Sequence, residues 1–148
     1  MKSGRDNLAF NFRSKSEHFV DPTKSLKKQL KLLVKTLSIA GAEDIIALDI
    51  HKISDLASFI IICSSRSEKH SEGILRRIQN DLKGQIDIRA VEGAKNPKWV
   101  LIDAYDILIH IFYKPLRDFY KLEDLWYRAK KVDINKYLSN RLYAGNSK

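Results

Sequence analysis

Apolar and polar residues alternate with a period of two from Trp99 to Phe112, which predicts two strands of a β-hairpin. If Ala104 and Tyr105 form the turn, Asp103 lies opposite Asp106. One face of the hairpin is wholly aliphatic: Val100, Ile102, Ile107, Ile109 and Ile111. The other face is mixed: Trp99, Leu101, Asp103, Asp106, Leu108, His110 and Phe112. The first face predicts a core, and the second, with an aromatic residue beside carboxylates, is typical of a protein-docking surface.

The remaining pattern predicts helices and strands on both sides of this hairpin. A stripe of leucines with lysines opposite predicts a helix over residues 25–39, and Ser67 is the predicted N-cap of a second helix ending near residue 83. Strands are predicted at 45–50, 58–63 and 86–91; the second is apolar throughout and is therefore expected at the sheet centre. A short helix or a broken pair follows Pro115. The order α-β-β-α-β-β-β-α predicts an α/β fold: one domain with a mixed, mostly five-stranded sheet flanked by helices.

Six segments contain sequence motifs that, taken together in order, are more specific than a single short motif. They are Ala42–Asp49, Phe59–Ser64, Val91-Glu92-Gly93, Trp99–Asp103, Ile107–Phe112 and Leu122–Trp126. In this order, from about Leu26 to Trp126, the chain closely resembles the ribosomal silencing factor family (RsfS, the Iojap-related proteins). Two positions depart from the family, which usually has Gly where Ser65 and Tyr105 stand. Because Tyr accepts a positive φ poorly, a wider four-residue loop is the alternative to the tight hairpin turn.

The resemblance implies a fold related to nucleotidyltransferases without their catalytic carboxylates, and a homodimer when free. It also implies a non-enzymatic factor that binds the large ribosomal subunit through its fourteenth ribosomal protein and blocks joining of the small subunit. On the mixed face, the predicted partner-binding residues are the anchor Trp99, its support His110, the apolar Leu101 and Leu108, the acidic Asp103 and Asp106, Tyr105 at the tip, and Arg117 and Tyr120 at the border. Trp99 could instead pack as core beneath a helix; for Trp126 packing is the prediction.

The formal net charge of +9 is concentrated at the two ends of the chain. Residues 1–39 hold nine basic and three acidic residues, residues 40–130 hold 14 of each, and residues 131–148 hold four and one. We predict a flexible basic tail at 1–23, a domain at 24–130 and a second basic tail at 131–148. Such ends are either solvated or make auxiliary contacts to ribosomal RNA. A second hypothesis is therefore an RNA-binding module of ribosome assembly.

Enzyme chemistry finds little support in the sequence. A nucleotidyltransferase-like enzyme, the third hypothesis, would need two carboxylates one residue apart on a strand, and no Asp-x-Asp occurs. The four histidines have no i, i+3 or i+4 spacing, and Cys63 is the single cysteine. We predict no catalytic residue, no metal site and no cofactor. Without a membrane-length apolar run or a leader pattern, the expected location is the bacterial cytoplasm, with an organellar matrix as the alternative.

Overall fold

The structure is a computed structural model and describes residues 22–138. The helices are α1 (Pro22–Ile39), α2 (Glu68–Asp81), α3 (Lys114–Tyr120) and α4 (Leu122–Leu125), and residues 135–138 are also helical. The strands are β1 (Glu43–Asp49), β2 (Phe59–Ser65), β3 (Ala90–Glu92), β4 (Trp99–Ala104), β5 (Ile107–Tyr113) and β6 (Lys130–Lys131). The predicted order of elements is confirmed through α3 and α4, and β6 is an additional strand that the sequence pattern did not predict. Of the two predicted tails, residues 1–21 and residues 139–148 lie outside the described part of the chain.

The strands form one mixed sheet in the order β3-β4-β5-β2-β1-β6. Only β2 and β5 run parallel; the other neighbours are antiparallel. Every residue of β2 is buried, and β2 lies between β5 and β1, as its continuous apolar sequence predicted. The predicted α/β fold with a mixed sheet is thus confirmed, with six strands instead of five.

A helical layer covers each face of the sheet, and a separate apolar cluster fills each interface. Helices α1 and α2 pack on the aliphatic side of the hairpin, with Leu33, Val34 and Ile74 fully buried there. On the opposite side, α3 packs over β5 and β2, and Leu122 of α4 joins Leu108 and Phe112 in the second cluster. The hairpin's two faces therefore lie in different environments, one in the main core and one only partly covered.

The hairpin turn is tight and lies one residue later than predicted. Ala104 pairs with Ile107 and Asp103 with Leu108, so the predicted pairing of Asp103 with Asp106 is wrong, and so is the wider loop. Tyr105 adopts the positive φ of +68° that the tight turn requires. The Asp103 carboxylate accepts from the Tyr105 amide at 2.9 Å, and the Asp106 carbonyl accepts from the amides of Ser58 and Phe59 at 2.8 and 3.1 Å.

The hydrogen bonds from Ser58 and Phe59 to the Asp106 carbonyl explain the register of the hairpin. They fix the turn against the start of β2, a strand that lies outside the hairpin sequence. The shift moves each residue's cross-strand partner by two positions. Since side chains alternate with a period of two, both predicted faces keep their members on β4 and β5. Asp106 alone leaves its face, because it now lies in the turn.

Beyond residue 130, the chain continues into the core. β6 pairs with the end of β1, and Ile134 is buried in the main apolar cluster, with Val132, Tyr137 and Leu138 packed against it. The described fold thus extends to residue 138, into the segment predicted as the second basic tail. The predicted strand at 86–91 is shorter, since only residues 90–92 pair with β4.

Candidate partner-binding face

The outer part of the mixed face, on β3 and β4, is less covered than the part over β5 and β2. Along β4, half-buried residues alternate with buried ones, and the half-buried set is Trp99, Leu101 and Asp103. The pairing of β3 with β4 places Ala90 beside Asp103 and Glu92 beside Leu101 on this same face. We call the surface formed by Glu92, Trp99, Leu101, Asp103 and Tyr120 the docking face.

Trp99 is held in place by neighbouring rings. Its ring centroid lies 4.7 Å from that of Phe112, 4.9 Å from that of Tyr120 and 5.9 Å from that of His110. Its indole Nε1–H donates a hydrogen bond of 3.0 Å to Nδ1 of His110. An aromatic side chain fixed before binding loses little conformational entropy on contact with a partner, which suits an anchor.

A close backbone contact also holds the segment that carries Trp99. Gly93 has a φ of +84°, and a Cβ there would come within 2.1 Å of the Trp99 carbonyl oxygen. Only glycine permits this close approach of the two chain segments. The Val91-Glu92-Gly93 motif therefore positions the start of β4.

His110 is a buried acceptor for the indole, as its predicted support of Trp99 requires. It is 8% exposed, and burial lowers its pKa to about 4. The imidazole is therefore neutral near pH 7. Because Nδ1 accepts the indole proton, the ring carries its own proton on Nε2. A protonated ring would place two donors against each other and lose this bond.

The burial of His110 predicts that the protein loses stability as the solution becomes more acidic. The unfolded chain takes up a proton at His110 near pH 6.5 and the folded one near 4, so stability is complete above about 6.5 and is lost as the pH falls toward 4. We expect His110 to account for on the order of 2 kcal/mol of the loss between about pH 7.5 and pH 5. His110→Gln, which keeps an acceptor for the indole, should reduce the loss by that amount in urea unfolding. An equal pH dependence in both proteins would contradict the assignment.

Asp103 has an internal cationic partner. Arg89 donates to its Oδ2 from Nε at 3.1 Å and from Nη2 at 2.7 Å, and Asp103 also accepts from the Tyr105 amide. The Arg89 guanidinium lies 5.4 Å from the Tyr105 ring centroid. The hydrogen bond and charge of Asp103 raise the pKa of Arg89. Asp103 is therefore neutralised within the chain, and Tyr105, which is 53% exposed, projects beside it at the hairpin tip.

The other predicted site residues divide into exposed and buried groups. Tyr120 is 49% exposed and lies against Trp99, whereas Leu108 is 6% exposed and supports the face from beneath. Asp106 is exposed, but it lines a cavity of about 590 Å³ with Ser25 at the start of α1 and lies away from the docking face. Trp126 is half-buried and packs in the apolar cluster under α4, which confirms its predicted packing role.

Arg117 was predicted at the border of this surface, and the structure places it inside the fold. It is 7% exposed and donates to the Asp44 carbonyl, to Ser64 Oγ at 3.0 Å and to Glu123 Oε2 at 3.1 Å. These bonds connect α3 to β1, β2 and α4. Its geometry is that of a structural ion pair.

Glu92 belongs to the docking face but was absent from the predicted set. It is exposed, and no ion pair to it is found among residues 25–138, whose side chains the structure describes. The sequence does contain a signal, since Glu92 lies within the Val91-Glu92-Gly93 motif. Its location beside Leu101 follows only from the pairing of β3 with β4.

The described residues contain no candidate metal cluster, and their cysteine is buried. Within residues 22–138, no group of three or more His, Cys, Asp or Glu side chains could hold a metal ion. Burial raises the pKa of the Cys63 thiol to about 12, which keeps it protonated. No helix in this range is long and apolar enough to cross a membrane.

Comparison with known proteins gives a consistent result. The family described as "Ribosomal silencing factor during starvation" matches residues 23–147. The Bacillus subtilis ribosomal silencing factor RsfS is 36% identical over 110 residues, which cover 74% of this chain and 93% of that protein. The chloroplastic protein Iojap of Arabidopsis thaliana is 29% identical and is matched over 69% of this chain and 43% of its own length.

The fold agrees with a solved relative. A crystal structure from Bacillus halodurans superposes with a TM-score of 0.64 at 34% sequence identity, covering 72% of this chain and 98% of the other. The family match extends over most of the chain, and it includes the hairpin that carries Trp99 and the Gly93 motif that supports it. The chain therefore belongs to the ribosomal silencing factor family.

Proposed function

We propose that this protein binds the large ribosomal subunit through its fourteenth ribosomal protein and thereby blocks joining of the small subunit. The observation that carries the proposal is the half-buried, fully partnered Trp99 on a surface of a member of the ribosomal silencing factor family. Tryptophan is among the residues most enriched where interface binding energy is concentrated. The docking face is the contact surface, and repression follows from occupancy alone.

The chemistry of the docking face suits a basic partner. Leu101 and the rings of Trp99 and Tyr120 offer apolar area, and Glu92 adds a carboxylate without an ion-pair partner among the described residues. Asp103 attracts a basic partner less strongly, because Arg89 already neutralises its charge. An apolar centre with an acidic rim complements a protein surface rich in Lys and Arg.

Blocking subunit joining requires no catalysis. A compact domain of this length has a radius of gyration of about 14 to 15 Å, so its body is roughly 35 Å across. A body of that size bound on the joining surface excludes the other subunit by volume. The effect then depends only on affinity and on where the protein binds.

Sedimentation with isolated subunits tests the proposal directly. We expect the protein to sediment with large subunits and not with small ones, and to reduce the yield of joined ribosomes in proportion to its occupancy. Adding the isolated fourteenth ribosomal protein should compete for binding. Binding to large subunits that leaves joining unaffected would contradict the proposed mechanism, and failure of the competitor would locate the contact elsewhere.

Glu92 gives a specific prediction about the acidic rim. Glu92→Gln removes one exposed charge and should weaken large-subunit binding by up to about fivefold, chiefly through a slower association rate that converges with wild type at high salt. The matched control is Glu72→Gln on α2, which removes the same charge on the other side of the sheet. Equal effects of the two changes on binding would show that only net charge matters.

A further inference from the structure

Helix α1 carries the most one-sided charge of the described chain. Its 18 residues contain five lysines and no acidic residue. Lys27, Lys28 and Lys31 are exposed and Lys35 is half-buried. Lys27, Lys31 and Lys35 follow at intervals of four residues, so they form a stripe with about 6 Å between neighbours along the helix axis. We call Lys27, Lys31 and Lys35, together with the adjacent Lys28, the lysine stripe.

The lysine stripe is unfavourable for the isolated helix. Lysines four residues apart repel each other, and cations in the first turns oppose the helix dipole, which favours acidic residues there. None of the four lysines makes an ion pair with a carboxylate anywhere in residues 22–138. On α2 the charges balance, and Arg77 is paired with Asp81. The repulsion along α1 is thus not relieved by any ion pair in the described fold.

The position of α1 restricts what could compensate it. The apolar side of the helix is buried against the sheet, with Leu30, Leu33, Val34 and Leu37 at most 1% exposed. This side cannot enter a lipid bilayer, which distinguishes α1 from amphipathic membrane-binding helices. The exposed side presents lysines without interleaved aromatic residues, which is the pattern of contact to phosphates without reading of bases.

The opposite locations of the two surfaces allow simultaneous contacts. The lysine stripe lies on the helical layer that covers the aliphatic face of the hairpin, while the docking face lies on the other side of the sheet. We infer that the lysine stripe binds the phosphate backbone of ribosomal RNA while the docking face contacts the ribosomal protein. The inference rests on the proposed function for the source of the RNA, and it assigns this RNA contact to a folded helix.

The test is the triple change Lys27→Gln, Lys28→Gln and Lys31→Gln. Glutamine has a helix propensity close to that of lysine, so α1 should be retained and stability should be unchanged or higher. Affinity for isolated large subunits should be measured from about 50 to 300 mM KCl, because each phosphate contact adds about 0.7 to 0.9 to the slope of log K against log salt. We expect the triple change to reduce the slope by about 2 and to weaken binding about tenfold or more near 100 mM salt.

A matched control separates location from net charge. Lys69→Gln, Lys83→Gln and Lys95→Gln remove the same charge from exposed positions outside the lysine stripe, and their slope should stay close to that of wild type. An unchanged slope in the stripe variant, or equal reductions in both variants, would overturn the inference.

Two further probes identify the phosphate source and separate this inference from the proposed function. The triple lysine variant should bind protein-free RNA extracted from large subunits more weakly than wild type does. Trp99→Ala should bind the same RNA as tightly as wild type. Vesicles containing phosphatidylserine should bind neither wild type nor the triple lysine variant. If the triple change abolished binding to vesicles but left binding to RNA unchanged, the inference would be overturned. If wild type fails to bind large subunits while its RNA binding still depends on the stripe, the proposed function fails and the phosphate contact stands.

Discussion

Trp99→Ala is expected to weaken binding to the large ribosomal subunit by at least tenfold while the protein still folds. The ring is half-buried and already fixed by Phe112, Tyr120 and His110, so it reaches the partner without further ordering. Truncation of an interface tryptophan of this kind costs about 2 kcal/mol or more. Affinity measured by sedimentation or by fluorescence titration of the subunits would give the value. The salt dependence should stay unchanged, because no charge is altered.

Trp126→Ala is the matched control for this experiment. It removes the same side chain from the same apolar cluster but at α4, outside the docking face. We expect it to reduce the free energy of unfolding and to leave the affinity of the folded protein near that of wild type. Wild-type affinity in a folded Trp99→Ala protein would show that this ring is not the anchor.

Arg117→Met should reduce the free energy of unfolding far more than the loss of an exposed ion pair does. The guanidinium is 7% exposed, and its removal leaves the Asp44 carbonyl, the Ser64 hydroxyl and the Glu123 carboxylate without their donor. Breaking such a buried pair costs about 3 kcal/mol or more, with the lower value expected here because the Glu123 side chain is 35% exposed. Urea unfolding near neutral pH measures the difference.

Arg77→Met provides the comparison for an exposed pair. Arg77 bonds Asp81 four residues away at 2.8 Å on the surface of α2, and its loss should cost less than about 1 kcal/mol. An Arg117→Met protein as stable as wild type but unable to bind large subunits would return Arg117 to the partner-binding set. A loss of stability with normal binding would confirm its structural role.

The sequence was sufficient for features that depend on neighbours along the chain. Alternation along residues 99–112 sorted the side chains of β4 and β5 onto the correct faces, because adjacent residues of a strand point in opposite directions whatever their partner. The Ser67 cap is equally local, since its Oγ accepts from the His70 amide at 2.9 Å. The central place of β2 followed from its apolar run, because a strand buried on both faces needs no polar residue.

The tertiary structure decided what depends on contacts between distant segments. The hairpin turn was set by the start of β2, and the partner of Asp103 proved to be Arg89, 14 residues away along the chain. Arg117 looked like a surface residue in sequence, yet it bonds a carbonyl 73 residues distant. The sequence by itself determined the class of fold, the faces of the hairpin and the anchor candidate Trp99, because these follow from periodicity and residue type. Only the folded chain placed Glu92 on the docking face and Arg117 inside, because strand pairing and the bonds of a buried charge both depend on segments that meet in space.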